Sequence, residues 1–159
     1  MSKPIEQFAD TVRRFCRWAE GEPQDSTSEA RTARRLLAEL YPQVIDLPEV
    51  FADADAPEIS KEQYQLVFKR FGALPFNYYS ECFNPLAIPA EQPVIADLAD
   101  DLADIWMDLK RGLALYEGGA IEAAAWEWRF HFSAHWGNHA CGALYALQTW
   151  FSQNNCDPK

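Results

Sequence analysis

The chain has 159 residues, 48% hydrophobic and 14% aromatic, with a formal net charge of -10. That length suits one domain, able to remove roughly 70% of its unfolded surface from water. The acidic balance repels nucleic acid and anionic membrane, the aromatic content is foreign to disordered chains, and no apolar run nears the roughly 18 residues a membrane span requires. Cys16, Cys82, Cys141 and Cys156 show no C-x-x-C spacing, and the start has neither a basic n-region nor an apolar h-region. The expectation is free thiols in a reducing cytoplasm.

Ile5, Phe8, Ala9, Val12, Phe15, Cys16 and Ala19 recur at helical spacing and predict a helix near 4–20. Ser26 with Glu29 has the form of a capping box opening a second helix near 27–46, with Leu36, Leu37 and Leu40 on its apolar face and Pro42 set to end or kink it. Six of the nine arginines precede residue 36, but residues 1–40 carry seven basic and seven acidic side chains. That neutral sum reads as salt-bridged, solvated helix faces rather than a nucleic-acid surface. Asp53 to Pro57, D-A-D-A-P, lacks the further ligands of a calcium loop and reads as a helix-flanking loop. Ser60 and Gln63 form another capping box, opening a helix near 60–72 whose buried face is Tyr64, Val67, Phe68 and Phe71.

Residues 74–93 carry four prolines and four aromatics. They predict an irregular loop packed down by its own aromatics rather than a mobile lid, since no glycine supplies a hinge. The hydroxyls of Tyr78 and Tyr79 are in reach of the aspartates that follow. Asp97, with Asp100 three residues on, caps a helix near 97–117. Leu98, Leu102, Ile105, Leu109, Leu113 and Tyr116 make its apolar face, and Asp97, Asp101, Asp104 and Asp108 form a stripe beside it. Gly118-Gly119 closes that helix, and the last one runs near 120–151 with Trp126, Phe130, Phe132, Trp136, Ala140, Leu147 and Phe151 on its apolar face. Arg129 falls within that face, while Glu127, His131, His135 and His139 step at i+4 along the other side.

The result is an all-α, single-domain bundle of about five principal helices, with negligible strand, a long C-terminal helix hairpin at its centre and residues 152–159 as a tail. Equal distance from the turn sets Asp108 level with Arg129, Asp104 near Ser133 and Asp97 near His139. A buried Arg129–Asp108 ion pair follows. A straight helix separates His135 from Arg129 by about 120°, so His135 and His139 are expected not to share a ligand point with an aspartate.

D-D-L-A-D-I-W-M-D-L-K-R-G-L-A-L, W-E-W-R-F and H-W-G-N-H-A resemble the C-terminal signature of a bacterial family known as domain of unknown function 5063, and F-N-P at residues 83–85 is similar to its F-D-P. The resemblance implies a helical bacterial protein in which Asp101, Asp104, Asp108, Glu127, Arg129, His135 and His139 are recurring polar positions and His131 stands where a small residue is usual. It implies no activity.

Several enzyme readings find little support. D-D-L-A-D has the spelling of a diphosphate-binding motif, but the chain is about half the length of such synthases and lacks their second motif. His135 and His139 stand at H-x-x-x-H spacing with Trp136 where a zinc protease has its general base, and no serine or cysteine sits in a nucleophile context. The leading reading is a non-enzymatic binding or scaffold module with a buried Asp/Arg/His network and no cofactor. Its partner is an unknown protein, a small ligand or a second copy of itself. The alternative is a metal-dependent, hydrolase-like enzyme using Asp101, Asp104, His135 and His139.

Overall fold

A computed structural model describes residues 2–52 and 54–155. The calcium-loop comparison at Asp53 and the thiol of Cys156 therefore lie outside the described residues, and Cys16, Cys82 and Cys141 are free. No helix among the described residues is long and apolar enough to cross a membrane.

Helix α1 (Lys3–Glu20) buries the seven apolar residues named above. Helix α2 (Ser26–Ile45) is capped one residue earlier than expected, by Asp25, whose carboxylate accepts from the Ser28 amide at 3.0 Å. Glu29 is not a capping residue. It is buried, takes hydrogen bonds from the Trp18 indole at 2.9 Å and the Gln24 amide at 2.8 Å, and pairs with the guanidinium of Arg70. A carboxylate with that cation and two donors in the interior is worth more there than at an exposed cap. Pro42 lies inside α2, near its end, and the helix continues past it to Ile45. Helix α3 (Lys61–Arg70) has the expected Ser60–Gln63 capping box and runs into a 3-10 turn at Phe71–Ala73.

The next stretch departs from the irregular, packed loop expected there. Strand β1 (Tyr78–Glu81) pairs antiparallel with β2 (Val94–Asp97), Tyr78 opposite Asp97 and Glu81 opposite Val94. Tyr79 and Glu81 turn toward the protein and Tyr78 and Ser80 toward solvent, the period of two that a half-covered strand requires. Phe83, Leu86 and Ile88, in the connection between the strands, are exposed rather than packed down.

Helix α4 (Leu98–Glu117) starts on Asp97, which accepts from the Asp100 amide at 3.1 Å. Asn77, just before β1, bonds the Leu98 amide at 2.8 Å through its carbonyl and the Ala99 amide at 3.2 Å through its side chain, so the small sheet and the helix start are one unit. The last long helix is not continuous. Helix α5 (Ile121–His131) ends in a π-helical turn at Phe132–Trp136, and α6 (Gly137–Asn154) follows. The amide of Gly137 donates to the Phe132 carbonyl, five residues back.

A π turn absorbs one extra residue, so the apolar stripe moves by one position across it. Before the turn Trp128 is fully buried, its indole donating to the Leu109 carbonyl at 3.0 Å, whereas Phe130 is exposed and Trp126 only half-buried. After it the stripe is Trp136, Ala140, Ala143, Leu147 and Phe151, as expected. Phe8 of α1 meets Trp128 edge-on at 5.0 Å between ring centres, which sets the centre of the core under the α4–α5 hairpin.

Candidate metal centre

Asp101, Asp104 and Asp108 lie one turn apart on α4, and His135 and His139 one turn apart across the start of α6. Had α5 continued without a π turn, residues 135 and 139 would have followed Ala124 and Trp128 into the core. The extra residue rotates both imidazoles out to the border of the core, where the aspartate stripe runs.

The pairing is ordered. His135 Nδ1 lies 2.6 Å from Asp108 Oδ2, and His139 Nδ1 lies 2.7 Å from Asp101 Oδ1. Asp108 and Asp101 are both buried, and burial without a partner would cost several kcal/mol each. In the neutral form of each ring, an Nδ1–H donated to the carboxylate leaves the lone pair on Nε2. Both Nε2 atoms converge on Asp104 Oδ2, each at 3.5 Å. The second oxygen of Asp104 accepts from the Tyr64 hydroxyl at 2.8 Å, and Asp101 accepts from Tyr79 as well as from His139.

Charge here is unbalanced toward the carboxylates. The hydrogen bond to Asp101 and the fields of Asp101, Asp104 and Asp100 raise the pKa of His139 above 6.5, outweighing a burial that acts to lower it. Burial and the charge of Asp104 raise that of Asp100, and burial with the Asp101 bond raises that of Tyr79, which holds its proton as a donor.

Asp104, His135 and His139 each offer one ligand atom, and these atoms all lie within 4.8 Å of one another. An ion with ligands at about 2.0–2.2 Å in tetrahedral array sets its donors roughly 3.4 Å apart. The two 3.5 Å edges are already at that spacing, so the expectation that the histidines share no ligand point with an aspartate is overturned. Two imidazoles and one carboxylate make a three-ligand set with positions left for water or substrate, and the carboxylates on both Nδ1 atoms supply the outer shell that orients such ligands.

Two of the expected cluster stand elsewhere. Arg129 does not meet Asp108 or Asp104: it donates to the carbonyls of Ile45 at 3.2 Å and Leu47 at 2.5 Å and pairs with Glu49 at 2.9 Å, capping the end of α2. Glu127 is buried beside His131 Nε2 at 3.1 Å and Arg111 at 3.6 Å, separate from the convergence point. Level pairing failed because helical side chains lean toward their own N-terminus. In an antiparallel hairpin the α4 side chains lean away from the turn and those beyond α5 lean back toward it, so Asp108 reaches a residue further along than Arg129. The π turn adds one position in the same direction. Tyr64 was read as core, and its reach to Asp104 has no sequence signal beyond a tyrosine at the edge of an apolar face. Tyr79 meets Asp101 as its position suggested, whereas Tyr78 is exposed.

A protein-family model described as "Domain of unknown function (DUF5063)" matches residues 1–153. Among solved structures, the crystal structure of protein BF1032 from Bacteroides fragilis, a Northeast Structural Genomics Consortium target, superposes with a TM-score of 0.76 at 20% identity, covering 92% of this chain and 91% of that one. That likeness shows the fold. No curated protein matches the chain.

Proposed function

For a chain that belongs to the DUF5063 family, whose description assigns no activity, we propose a function from the site itself: it binds one divalent transition-metal ion through Asp104 Oδ2, His135 Nε2 and His139 Nε2, in a centre of the open, catalytic kind. The observation that carries this reading is the convergence of two imidazole Nε2 atoms on one carboxylate oxygen, with each opposite Nδ1 held by its own buried aspartate. A network serving only to fix helix register needs the Nδ1–carboxylate pairs and nothing more. Two nitrogens and one oxygen favour zinc, iron(II) or manganese over magnesium and calcium, which prefer all-oxygen shells. The metal-dependent, hydrolase-like alternative thereby moves ahead of the scaffold module.

Calorimetric titration of chelator-stripped protein with zinc and manganese tests it. One equivalent should bind the wild type, and His139→Ala and Asp104→Asn should each weaken binding by on the order of 100-fold while keeping the helical circular dichroism. Absence of saturable, stoichiometric binding by the folded wild type would return the cluster to a purely structural role.

A further inference from the structure

Residues 82–96, which leave β1, make the proline-rich excursion and return along β2, hold a single charged side chain, Glu91, in a chain that is 24% charged. Their large apolar side chains face outward: Phe83 is 82% exposed, Leu86 87%, Ile88 89% and Ile95 72%. Monomeric proteins rarely leave so large a contiguous apolar patch in water. A second apolar feature lies where the start of β1 meets α6. A groove of about 430 Å³ opens there, walled by Phe76, Tyr78, Tyr145 and Trp150, and none of its lining residues is charged. Tyr78 and Tyr145 stand in it largely exposed. The arm runs off the far end of β1 and, as the exposure of Phe83 and Leu86 shows, does not fill the groove of its own chain.

We propose that the chain forms a two-fold dimer in which the arm of each copy, led by Phe83 and Leu86, seats in the aromatic groove of the other. This does not rest on the metal reading. A two-fold axis makes both contacts at once, arm to groove and groove to arm, because the same patch serves on both copies. Charge favours a second copy as the occupant. Two copies of net charge -10 repel one another except across a face that carries little of that charge, and arm and groove together are such a face. A surface built for a charged partner would carry the opposite sign. The area is also sufficient. Tyr78, Phe83, Leu86, Ile88, Ile95 and Tyr145 together expose on the order of 800 Å² per copy, the half-interface of a stable dimer.

Sedimentation velocity of the full chain from low to high micromolar concentration tests this, in reducing buffer so that the exposed Cys82 thiol forms no cross-link. Wild type should sediment at twice its chain mass of 18.2 kDa. Its dissociation constant should fall as salt is raised, because screening relieves the repulsion between like-charged copies. Leu86→Lys in the arm and Tyr145→Glu in the groove, both at exposed positions, should keep the helical circular dichroism and each weaken the dimer by at least about 100-fold, since each change enters a two-fold interface twice. Mixed in equal amounts, the two variants should dimerise with each other, because one arm and groove are then wild type and the other contact sets the new ammonium against the new carboxylate. A wild type that is monomeric at high micromolar concentration, a dimer that salt weakens, a dimer left intact by either variant, or variants that stay monomeric when mixed would each overturn the proposal.

Discussion

If the centre takes a metal as proposed, the same proton decides both the stability of the metal-free protein and its affinity for metal, and the two respond in opposite directions. The pKa of His139 is raised in the folded state by Asp101 first and by the neighbouring aspartates. Its contribution to stability is therefore full below 6.5, the ordinary value, and is lost as pH rises through the raised one. A metal needs the neutral imidazole, so binding must displace this proton, and affinity falls as pH drops. Zinc dissociation constants measured from roughly pH 5 to 8 should weaken by up to about tenfold per unit below the raised pKa for that one displaced proton. A flat profile would mean that His139 is not a ligand. The acidic stripe and the i+4 histidines were legible in the sequence because they lie on single helices, where periodicity is enough. The partner of Arg129 was not, because the carbonyls at the end of α2 that it caps are 82 and 84 residues away and backbone groups leave no compositional trace.

Between elements, the π turn decides which residues face the aspartates. A helical wheel drawn at 100° per residue across residues 121–151 wrongly places Trp126 and Phe130 in the core and leaves Trp128 out, and it is right again after Trp136. The one local hint is Gly137. Its Cβ would sit 2.5 Å from the Phe132 carbonyl that accepts its amide hydrogen, so the five-residue turn closes only because that atom is missing. Gly137→Ala should cost about 1–3 kcal/mol, in the range of an overpacked interior site. If the turn relaxes toward an α-helix to escape the contact, His135 and His139 rotate by roughly 100° away from Asp104. Zinc affinity should then fall by more than the loss of stability accounts for, measured by titration at a temperature where the variant is fully folded. A variant that melts lower but binds zinc like wild type would show that the turn does not set the histidine phase. The β1–β2 pair was missed for a related reason. Four-residue strands separated by a proline-rich excursion give too little alternation to stand out, and only the pairing of Y-Y-S-E with V-I-A-D reveals it.

Across the whole molecule, the bundle could be read from helical periodicity and caps, whereas the centre is assembled from five elements that periodicity cannot bring together: Tyr64 on α3, Tyr79 on β1, three aspartates on α4 and two histidines on the π turn and α6. Each crossing angle and lean matters there by an ångström or two. An ion at that junction would tie α4 to α6 directly and brace α3 and β1 through the tyrosines. Since the unfolded chain has no such preformed site, binding free energy becomes folding free energy. With free zinc at about 100 times its dissociation constant the native state gains about 2.7 kcal/mol. A domain of this length gains roughly 2–4 °C in melting temperature per kcal/mol, so calorimetry should show an increase of roughly 5–10 °C over chelator-treated protein. His139→Ala should show little of that increase at the same free zinc, which separates binding at the centre from weak binding to exposed acids elsewhere on a chain of net charge -10. Equal shifts in wild type and His139→Ala would place the zinc outside the centre.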